Sequence, residues 1–585
     1  MTRRSCAIYA TGIVCAHLLI LGIALLVAQV FQTMIQERIK KEITLGENSR
    51  VLDGWINPPP PVYMQYFFFN VTNSEAFLAG REKAKVTQIG PYTYREYRPR
   101  ENVTFLENGT KIFATNPKSF VFLRNMSSGD PEVDRVITVN IPFIAVMNEL
   151  YSYSFFLRTA VSMWMGSMGI EVFMNRTVHE VLWGFKDPLL SKIHAMRPEV
   201  NENFGLMYNK NGTHEGEFVF HTGEKNYMDY GKIDTWNGIS RMNWWSSNQS
   251  NMINGTDGSV FHTFLSRKEL LYIFAADLCR SIHLGYVADT EVKGIPAFRF
   301  APPSDVLAPP DENPSNAGFC VPAGDCLGKG VLKVSVCREG APIVVSFPHF
   351  YQADERYINA IDGMNPNEEE HETYLDINPT TGVPIRACKR AQLNVILKRV
   401  PGFPKTKFLN ETIFPIMYVN ETATIDDESA AQMKTLLLIV TVVSNFPVII
   451  VGLGAILLVV LIFLVCRNRQ RKTTKDETAY TQVSNQAEDS PENRTNQPLR
   501  NGSYIAMSPV EAQNFHCAIR LRGPAPARSP PFAESRLTRF LEHGLSNCHM
   551  FSQNTCKLKA PTSVSGFPEA LLPSPARPET HSLAF

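Results

Sequence analysis

Residues 435–466 read TLLLIVTVVSNFPVIIVGLGAILLVVLIFLVC, a run of 32 residues without Asp, Glu, Lys or Arg. A second run of the same kind, residues 5–36, reads SCAIYATGIVCAHLLILGIALLVAQVFQTMIQ. A membrane-spanning helix needs about 20 predominantly apolar residues. Both runs are therefore predicted to cross a bilayer, with transmembrane helix 1 at 5–36 and transmembrane helix 2 at 434–466. A cleaved signal peptide is the alternative for the first run, but its apolar core is longer than the roughly 7 to 15 residues of such peptides.

Basic residues flank the outer ends of both runs. Arg3 and Arg4 precede the first run. The basic residues after the second run are Arg467, Arg469, Arg471 and Lys472. The positive-inside bias therefore predicts a cytoplasmic N-terminus at 1–4, a cytoplasmic tail at 467–585 and a luminal or extracellular domain at 37–433.

The tail is polar at first and then rich in Pro, Ser, Ala and Arg, without apolar periodicity, so it is predicted to be disordered. Two tetrapeptides in it fit a Tyr-x-x-apolar pattern of endocytic sorting signals, and their end residues are Tyr480 with Val483 and Tyr504 with Met507. Cys466 lies at the membrane face and is a candidate for palmitoylation.

Asn-x-Ser/Thr sequons are concentrated between the two apolar runs. Ten are found there, at Asn70, Asn102, Asn108, Asn125, Asn175, Asn211, Asn248, Asn254, Asn410 and Asn420. Exposure of this segment to the glycosylation machinery explains them, and it agrees with the topology inferred from charge.

Five of the eleven cysteines belong to the same segment. Cys279, Cys320, Cys326 and Cys337 form a cluster, and disulfides are expected among them in an oxidising compartment. Four cysteines permit three pairings, and their spacing does not choose between them. Cys388 is left over and is interpreted as a small buried hydrophobe.

The composition gives little support for an enzyme or a nucleic-acid-binding protein. The net charge is +1, and no phosphate-binding loop, nucleophile elbow or zincin helix occurs in the luminal sequence. The densest ionisable cluster, residues 368–372 (EEEHE), follows Asn365-Pro366 and is interpreted as a solvated turn rather than a catalytic or metal site. We therefore expect no catalytic residue, no metal and no cofactor.

Strand signals dominate both ends of the luminal segment. The segments rich in β-branched and aromatic residues are 62–71, 91–97, 341–350, 392–400 and 412–419. Several are apolar at consecutive positions, so both faces of these strands are expected to avoid water. A barrel, or a thick sheet covered by helices, would satisfy this pattern.

The middle of the segment carries helix signals. Thr177 and Glu180 form a capping box, and Asp187-Pro188 combines a cap with a proline at the first helical position. Ser266 and Glu269 form a second box, which predicts a helix through Leu270, Leu271 and Ile273.

Residues 148–173 (NELYSYSFFLRTAVSMWMGSMGIEVF) look helical but are apolar around most of the circumference. A helix pair buried in the domain is one interpretation. The other is an exposed Met-rich and aromatic surface that binds a partner, since such residues repack against varied shapes. The candidate partner-binding residues are Leu150, Phe155, Phe156, Leu157, Met163, Trp164 and Met168.

Several stretches of the luminal segment resemble the class B scavenger receptor family. They are GPYTYRE (90–96), FMNRTVHEVLWGFKDP (173–188), NMINGTDG (251–258), CRSI (279–282), SFPHF (346–350) and NPNEEEHETYLDINPTTG (365–382). FYQADER (350–356) and NAGFCVPAGDCLGKGV (316–331) are most similar to the lysosomal type of member. The resemblance covers nearly all of residues 5–466.

The resemblance implies a fold of the membrane α+β class: two transmembrane helices in hairpin topology flanking a large luminal antiparallel β-barrel with a distal helical bundle. It implies a lipid-conducting tunnel in the barrel, a ligand-binding distal bundle, and pairing of Cys279 with Cys337 and of Cys320 with Cys326. In the lysosomal type of member the distal helices carry a luminal hydrolase, β-glucocerebrosidase.

Two features depart from that lysosomal type. Phe155 stands where it has a histidine before Phe-Leu-Arg, so a pH switch at that position is not expected here. The acidic dileucine signal at its C-terminus is absent, so lysosomal delivery would rely on Tyr480 or Tyr504.

The sequence thus predicts a non-enzymatic receptor of lysosomal or late endosomal membranes. Its predicted partners are lipids (cholesterol, phospholipid or fatty acid) and a luminal hydrolase or lipoprotein, with no nucleic acid, and a homo-oligomer is left open. The alternatives are a cell-surface lipoprotein or fatty-acid receptor at the plasma membrane and, in another class, a two-span ligand-gated channel.

Overall fold

The computed structural model describes residues 3–47, 49–338 and 340–486 of the 585-residue chain. The chain divides into two compact units. The first contains the described residues up to 469, and the second begins at residue 470. All of the described strands belong to the first unit.

The α-helices include long apolar helices at both ends of the described chain and shorter ones between them. In chain order they are α1 (Arg3–Val27), α2 (Val30–Ile43), α3 (Arg50–Ile56), α4 (Ser74–Leu78), α5 (Ile141–Glu149), α6 (Phe155–Ser167), α7 (Val178–Trp183), α8 (Pro188–Met196), α9 (Glu355–Ala360), α10 (Glu368–His371), α11 (Asp427–Ser444) and α12 (Phe446–Gln486).

The strands all lie between the two apolar runs, and the longest ones are near the two ends of that segment. In chain order they are β1 (Val62–Val71), β2 (Ala84–Tyr97), β3 (Glu101–Leu106), β4 (Lys111–Thr115), β5 (Ser119–Phe122), β6 (Arg135–Val139), β7 (Phe173–Thr177), β8 (Phe185–Lys186), β9 (Asn203–Phe204), β10 (Glu217–His221), β11 (Ile233–Trp236), β12 (Leu271–Ala275), β13 (Arg280–Val292), β14 (Ile295–Ala301), β15 (Val331–Lys333), β16 (Ile343–Ser346), β17 (Ile361–Asp362), β18 (Tyr374–Ile377), β19 (Pro384–Leu397) and β20 (Thr412–Thr424).

One large sheet organises the region between the two apolar runs. Its strands run in the order β12-β13-β14-β18-β19-β20-β1-β2-β17, with β16 also paired to β19 and β5 to β2. The pairs are antiparallel except for the short β17–β2 pair. Among the described residues no hydrogen-bonded pair joins β12 to β17, so backbone pairing does not close this sheet into the predicted barrel.

Smaller sheets and helices cover the large sheet. A second sheet has the order β11-β10-β4-β3. Two further short antiparallel pairs join β6 with β7 and β8 with β9. Helices α5 to α8 pack their apolar residues into one core with β1, β2, β19 and β20. This packing accounts for strands that are apolar on both faces.

The strand predictions correspond closely to observed strands. Residues 62–71 are β1 at both ends, and 412–419 lie within the longer β20. The predicted segment 341–350 contains the shorter strand β16 and then a 3₁₀ turn, Pro348–Phe350. Pro348 ends the strand because it has no N–H to donate to a neighbour.

Two of the three predicted helix caps are confirmed. The hydroxyl of Thr177 accepts from the N–H of Glu180 at 3.2 Å, and the Glu180 carboxylate accepts from the N–H of Thr177 at 2.9 Å, at the start of α7. Asp187 caps α8, with its carboxylate accepting from the N–H groups of Leu189 and Leu190 at 2.9 Å.

The helix predicted after Ser266 is wrong. The Glu269 carboxylate does accept from the N–H of Ser266 at 3.0 Å, but the chain then enters strand β12. Leu271 and Ile273 are buried in the sheet, opposite Leu284 and Ile282 of β13. Long-range pairing of β-favouring residues therefore overrides a local capping signal.

The two apolar runs are helical, and each contains a break. Gln29 separates α1 from α2 with a left-handed backbone at φ 49°. Asn445 separates α11 from α12, two residues before Pro447, which cannot donate to a continuous helix. Within the described residues, two helical segments are long and apolar enough to cross a membrane, Cys6–Val27 and Phe446–Lys475. These differ from the predicted limits because composition does not register the breaks.

Candidate functional site

A cavity of about 810 Å³ lies in the region between the two apolar runs, against the large sheet. Its wall is mainly apolar and is formed by side chains of β1, β13, β16, β19 and β20 together with α3 and α11. Representative apolar lining residues are Met64, Leu284, Ile343, Leu393, Met417, Val419 and Met433. A volume of this size falls in the range of small-molecule sites in proteins.

Strand alternation places one face of the sheet on the cavity. Between residues 417 and 423 of β20 every second residue lines the cavity, namely Met417, Val419, Glu421 and Ala423. Their cross-strand partners on β19, Leu393, Ala391, Lys389 and Ala387, line it as well, and Arg390 and Gln392 of β19 and Thr424 of β20 also contribute. Successive side chains of a strand point to opposite faces. Tyr418 accordingly points away from this face and stacks on Phe67, with the ring centroids 4.5 Å apart. One apolar face of β20 lines the cavity, and the other packs into the core.

Helix α11 contributes one of its faces to the cavity wall. Four of its residues, Ser429, Gln432, Met433 and Leu436, contribute to the lining. They are spaced i, i+3, i+4 and i+7, and therefore lie on one face of the helix. Leu436 belongs to the uncharged run 435–466, so the lining includes the beginning of that run.

A network of charged side chains lies in the cavity wall, which also contains other charged residues such as Arg100, Asp257 and Arg338. Arg98 contacts two carboxylates, with Nε 3.0 Å from Glu96 and a guanidinium nitrogen 2.6 Å from Glu421. Lys389 lies 3.5 Å from the same Glu421 oxygen, and Lys118 pairs with Glu215. These residues all line the cavity. The wall therefore combines long apolar surfaces with a local polar belt.

The two carboxylates beside Arg98 differ in their acidity. Burial raises the pKa of Glu96, whose side chain is only 1% exposed. Burial acts in the same direction on Glu421, but Arg98, Lys389 and Lys118 outweigh it and hold the pKa of Glu421 well below its usual range. Glu421 is consequently the stably ionised member of the belt, whereas Glu96 takes up a proton more readily.

Tyr66 adds a buried hydroxyl to this wall. The residue is 1% exposed, lines the cavity, and its hydroxyl makes no hydrogen bond within the described residues. Burial, reinforced by Glu96, raises its pKa well above 10, so the group stays protonated and can donate. A polar group of a cavity occupant would find a donor here.

Helix α6 divides its apolar residues between core and solvent. Phe155, Phe156 and Met163 are 61%, 82% and 67% exposed, and Leu157 is 39% exposed. Met165 is fully buried. The remaining candidate partner-binding residues pack partly against the core, and they are Leu150, Trp164 and Met168. One face of residues 148–173 is therefore buried and the other is exposed, and partner binding by the exposed face stays a prediction.

Most of the sequons lie on the surface. Exposed asparagines are Asn102, Asn108, Asn125, Asn175, Asn211, Asn248 and Asn410, and half-buried ones are Asn70, Asn254 and Asn420. The side-chain amide of Asn420 donates to Gln65 at 2.9 Å, and that of Asn102 donates to Thr115 at 3.2 Å. Attachment of a glycan at either position would have to replace that hydrogen bond.

Disulfides join Cys279 to Cys337 and Cys320 to Cys326 in the structure. This is the pairing that the family resemblance implies. Cys388 is free and buried on β19, opposite Tyr374 of β18. Its environment suits the small hydrophobe that the sequence suggests.

The candidate modification and sorting residues fall at the end of the described chain. Cys466 is free and exposed on α12. Tyr480 and Val483 lie within the bounds of the same helix. Tyr504 and Met507 lie outside the described residues.

The acidic stretch 368–372 is mostly solvated, but its histidine is not. Glu368, Glu369 and Glu370 are exposed on the short helix α10, whereas His371 is 2% exposed. It stacks on His349, with ring centroids 4.5 Å apart. Across residues 3–47, 49–338 and 340–486, no group of three or more His, Cys, Asp or Glu is arranged to hold a metal ion. Sequence reasoning missed this histidine pair because its members are 22 residues apart and neither is part of a spaced motif.

Two helices long and apolar enough to cross a membrane flank a sheet-rich region that contains a cavity, and this arrangement indicates a membrane protein. The chain belongs to the CD36 family, whose model matches residues 13–465. It is 46% identical over 476 residues to lysosome membrane protein 2 of Rattus norvegicus and 44% identical to that of Homo sapiens, covering 81% of this chain and 98% of each relative. It is also 33% identical over 464 residues to scavenger receptor class B member 1 of Cricetulus griseus, covering 79% of this chain and 89% of that protein.

Proposed function

We propose that this chain is a receptor of lysosomal or late endosomal membranes that transfers lipid through its luminal cavity into the bilayer. The observation that carries the proposal is the continuity between the cavity and α11. One face of that helix, including Met433 and Leu436, lines the cavity, and the helix then continues into the apolar run. A lipid leaving the cavity at this end would meet the membrane without crossing water.

The lining suits an amphipathic occupant. Apolar side chains on β19 and β20 would contact acyl chains or a sterol ring system, and the belt around Arg98 and Tyr66 would contact a polar head group. Cholesterol, phospholipid and fatty acid all have this form. The relatives named lysosome membrane protein 2 support the lysosomal location.

The proposed topology has both termini in the cytoplasm, with residues 37–433 in the lumen. Basic residues outside both apolar runs support it, as do the ten sequons between them. Protease protection of epitopes at the two ends, in sealed microsomes, would test it. Protection of either terminus would contradict the proposal.

Blocking the cavity tests lipid transfer. Ala387 and Ala423 face each other across β19 and β20 and both line the cavity. Ala387→Trp and Ala423→Trp should therefore each lower the amount of lipid that co-purifies with the full chain, measured by mass spectrometry, and slow sterol delivery to liposomes. Val287→Trp is the matched control, because Val287 is 53% exposed on β13 and does not line the cavity. Equal lipid content in all three variants and the wild type would contradict the proposal.

We further propose that the exposed face of α6 binds a luminal partner, such as the hydrolase β-glucocerebrosidase or a lipoprotein. Its support is the cluster of Phe155, Phe156 and Met163 in solvent, in a stretch without sequons between Asn125 and Asn175. Exposed apolar clusters of this kind mark protein interaction sites.

Phe156→Asp and Met163→Asp should abolish co-precipitation of the hydrolase while leaving the fold intact. Val133→Asp is the control, since Val133 is 71% exposed outside α6. Trp164→Asp is not a clean test, because Trp164 packs partly against the core and its loss would also destabilise the domain. Unchanged capture by both Asp variants would refute this role of α6.

The alternative is a lipoprotein or fatty-acid receptor at the plasma membrane. The similarity to scavenger receptor class B member 1 supports it. Imaging of the tagged full chain against lysosomal and surface markers distinguishes the two locations. Membership in the CD36 family leaves the ligand-gated channel without support.

A further inference from the structure

Two histidines that are far apart in the sequence form one buried unit. His349 is 5% exposed and His371 is 2% exposed. Their rings stack at 4.5 Å with an interplanar angle of 24°. Tyr418 of β20 contacts both rings edge-on, with ring centroids 5.8 and 6.0 Å away. The pair therefore has little room to move without disturbing the sheet.

Each ring uses the same nitrogen to hold the same loop. The Nδ1 of His349 accepts from the backbone N–H of Asn365 at 3.1 Å, and the Nδ1 of His371 accepts from the backbone N–H of Asn367 at 2.8 Å. A ring nitrogen can accept only while it carries no proton. Both histidines are therefore neutral with the proton on Nε2, in agreement with the 2.7 Å contact between His349 Nε2 and the side-chain oxygen of Gln88.

The loop and the pair are joined to the cavity wall. Gln392 of β19 accepts from the backbone N–H of His349 at 2.7 Å, and Gln392 itself lines the cavity. Phe347, two residues before His349, and Thr373, two residues after His371, also line it. Movement of the pair would consequently move parts of the wall.

The surrounding charges do not favour a positive ring. Arg390 of β19 donates to the backbone oxygens of Glu369 and Glu372 at 3.1 and 2.6 Å, and so lies beside His371. The other titratable groups on packed elements are Tyr418 of β20, the exposed carboxylates Glu368, Glu369 and Glu370 of α10, and the half-buried Glu372 that follows His371. Gln88 of β2 and Phe69 of β1 are uncharged. Burial lowers the pKa of both histidines to about 4. A smaller contribution in the same direction comes from His371 for His349 and from Arg390 for His371.

We propose that His349 and His371 form an acid-sensitive latch, in which protonation of the rings releases the loop 365–367 and loosens the adjacent cavity wall. Protonation of either Nδ1 converts that nitrogen from a hydrogen-bond acceptor into a donor. It then faces the backbone N–H of the loop, which is also a donor, and the hydrogen bond is lost. Protons on both rings also place two positive charges in one stack. The latch deepens the proposed lipid-transfer function, because it would make that transfer dependent on an acidic compartment.

The size of the effect follows from proton linkage. A free histidine titrates near pH 6.5, whereas the closed latch binds protons only near pH 4. Between these values the open form binds protons that the closed form does not, so acid favours opening. Each histidine contributes about tenfold per pH unit to the opening equilibrium, and the pair up to about 100-fold.

Hydrogen exchange of the full chain in nanodiscs tests the latch. Amides of residues 363–373, corrected for the intrinsic exchange rate, should exchange ten- to 100-fold faster per pH unit as the pH falls below about 6.5. Amides of β19 and β20 should stay protected, which separates opening of the latch from unfolding of the domain. A flat pH profile in the wild type would overturn the proposal without any variant.

Substitution adds a second criterion. His349→Asn together with His371→Asn replaces each Nδ1 with an amide oxygen that still accepts but does not titrate, so the pH dependence of residues 363–373 should disappear. His262→Asn is the control, because His262 is a buried histidine bound to Thr263 and Glu269 instead. The same pH dependence in the double variant as in the wild type would overturn the latch.

Retention of a fluorescent sterol links the latch to the cavity. Wild-type protein should retain less sterol at pH 4.5 than at pH 7.5, and the double Asn variant should retain equal amounts. Absence of sterol at both pH values would contradict the lipid-transfer proposal alone, because the exchange measurement still decides on the latch. Acid-dependent exchange together with pH-independent retention in the wild type would overturn the coupling to the cavity wall.

Discussion

Strand β20 and helix α6 are both apolar around most of their surface, but their apolar side chains lie in different surroundings. On β20 one face lines the cavity and the other packs into the core, where Phe414 contacts Phe77 and Phe173. On α6 one face, with Met165, is buried, and the other leaves Phe156 in solvent. An apolar run without periodicity therefore has two structural solutions, and the sheet or helix around it decides which one applies.

The largest effect is expected from the core face of β20. Phe414→Ala removes a fully buried ring between two other aromatic rings, so the free energy of unfolding should fall by about 4 kcal/mol. Chemical denaturation of the full chain in detergent measures it. A loss below about 1 kcal/mol would mean that this face of the strand is not a packed core.

The buried face of α6 should come next. Met165 is fully buried, and Met165→Ala should cost about 2 to 3 kcal/mol, because a flexible side chain leaves a cavity that its neighbours partly refill. The same denaturation experiment tests it, and hydrolase capture should be unchanged. If Met165→Ala instead lowered hydrolase capture without lowering stability, the hydrolase would bind the face of α6 that carries Met165, and the proposed exposed surface would be wrong.

The polar belt on the cavity face is expected to contribute less to the free energy of unfolding than the core face does. Arg98→Met leaves Glu421 without its nearest cation, but Arg98 is 26% exposed, so the cost should be about 2 kcal/mol rather than that of a dry ion pair.

Low pH should weaken the same ion pair between Arg98 and Glu421. Because the pKa of Glu421 is lowered in the fold, its stabilising contribution is present above the unfolded value of about 4.3 and is lost as the pH falls below it. The Arg98→Met variant should lose less stability between pH 5 and pH 3 than the wild type does. An identical acid dependence would show that Arg98 does not set the acidity of Glu421.

The smallest stability effect is expected on the exposed face of α6. Phe156→Ala removes a ring that is 82% exposed, so the free energy of unfolding should change by no more than about 0.5 kcal/mol. A larger loss would mean that the ring packs within the domain and that the contrast with β20 does not hold.

Local patterns in the sequence predicted much of the fold. Strand β1 was predicted at both of its ends, because seven of its ten residues are β-branched or aromatic. The caps of α7 and α8 were equally readable, since each depends on residues within one turn. The cap at Ser266 failed for the opposite reason, because the pairing of β12 with β13 depends on residues further along the chain.

Long-range arrangements account for what the sequence did not reveal. The doubly apolar strands predicted two dry faces, and only the family resemblance implied that one of these faces lines a tunnel. The contacts between Arg98 and Glu421 and between His349 and His371 join residues on separate elements. The apolar character of α6 was visible, but the exposure of each side chain depended on which face met the core.

The register between β19 and β20 has a consequence for how this chain can change during evolution. Ala387, Lys389, Ala391 and Leu393 reach the cavity because each pairs with a cavity residue of β20. Insertion or deletion of a single residue here would exchange the two faces along the rest of the strand. We therefore expect homologous chains to vary in length at the connecting loops, and to preserve the number of residues in these two strands.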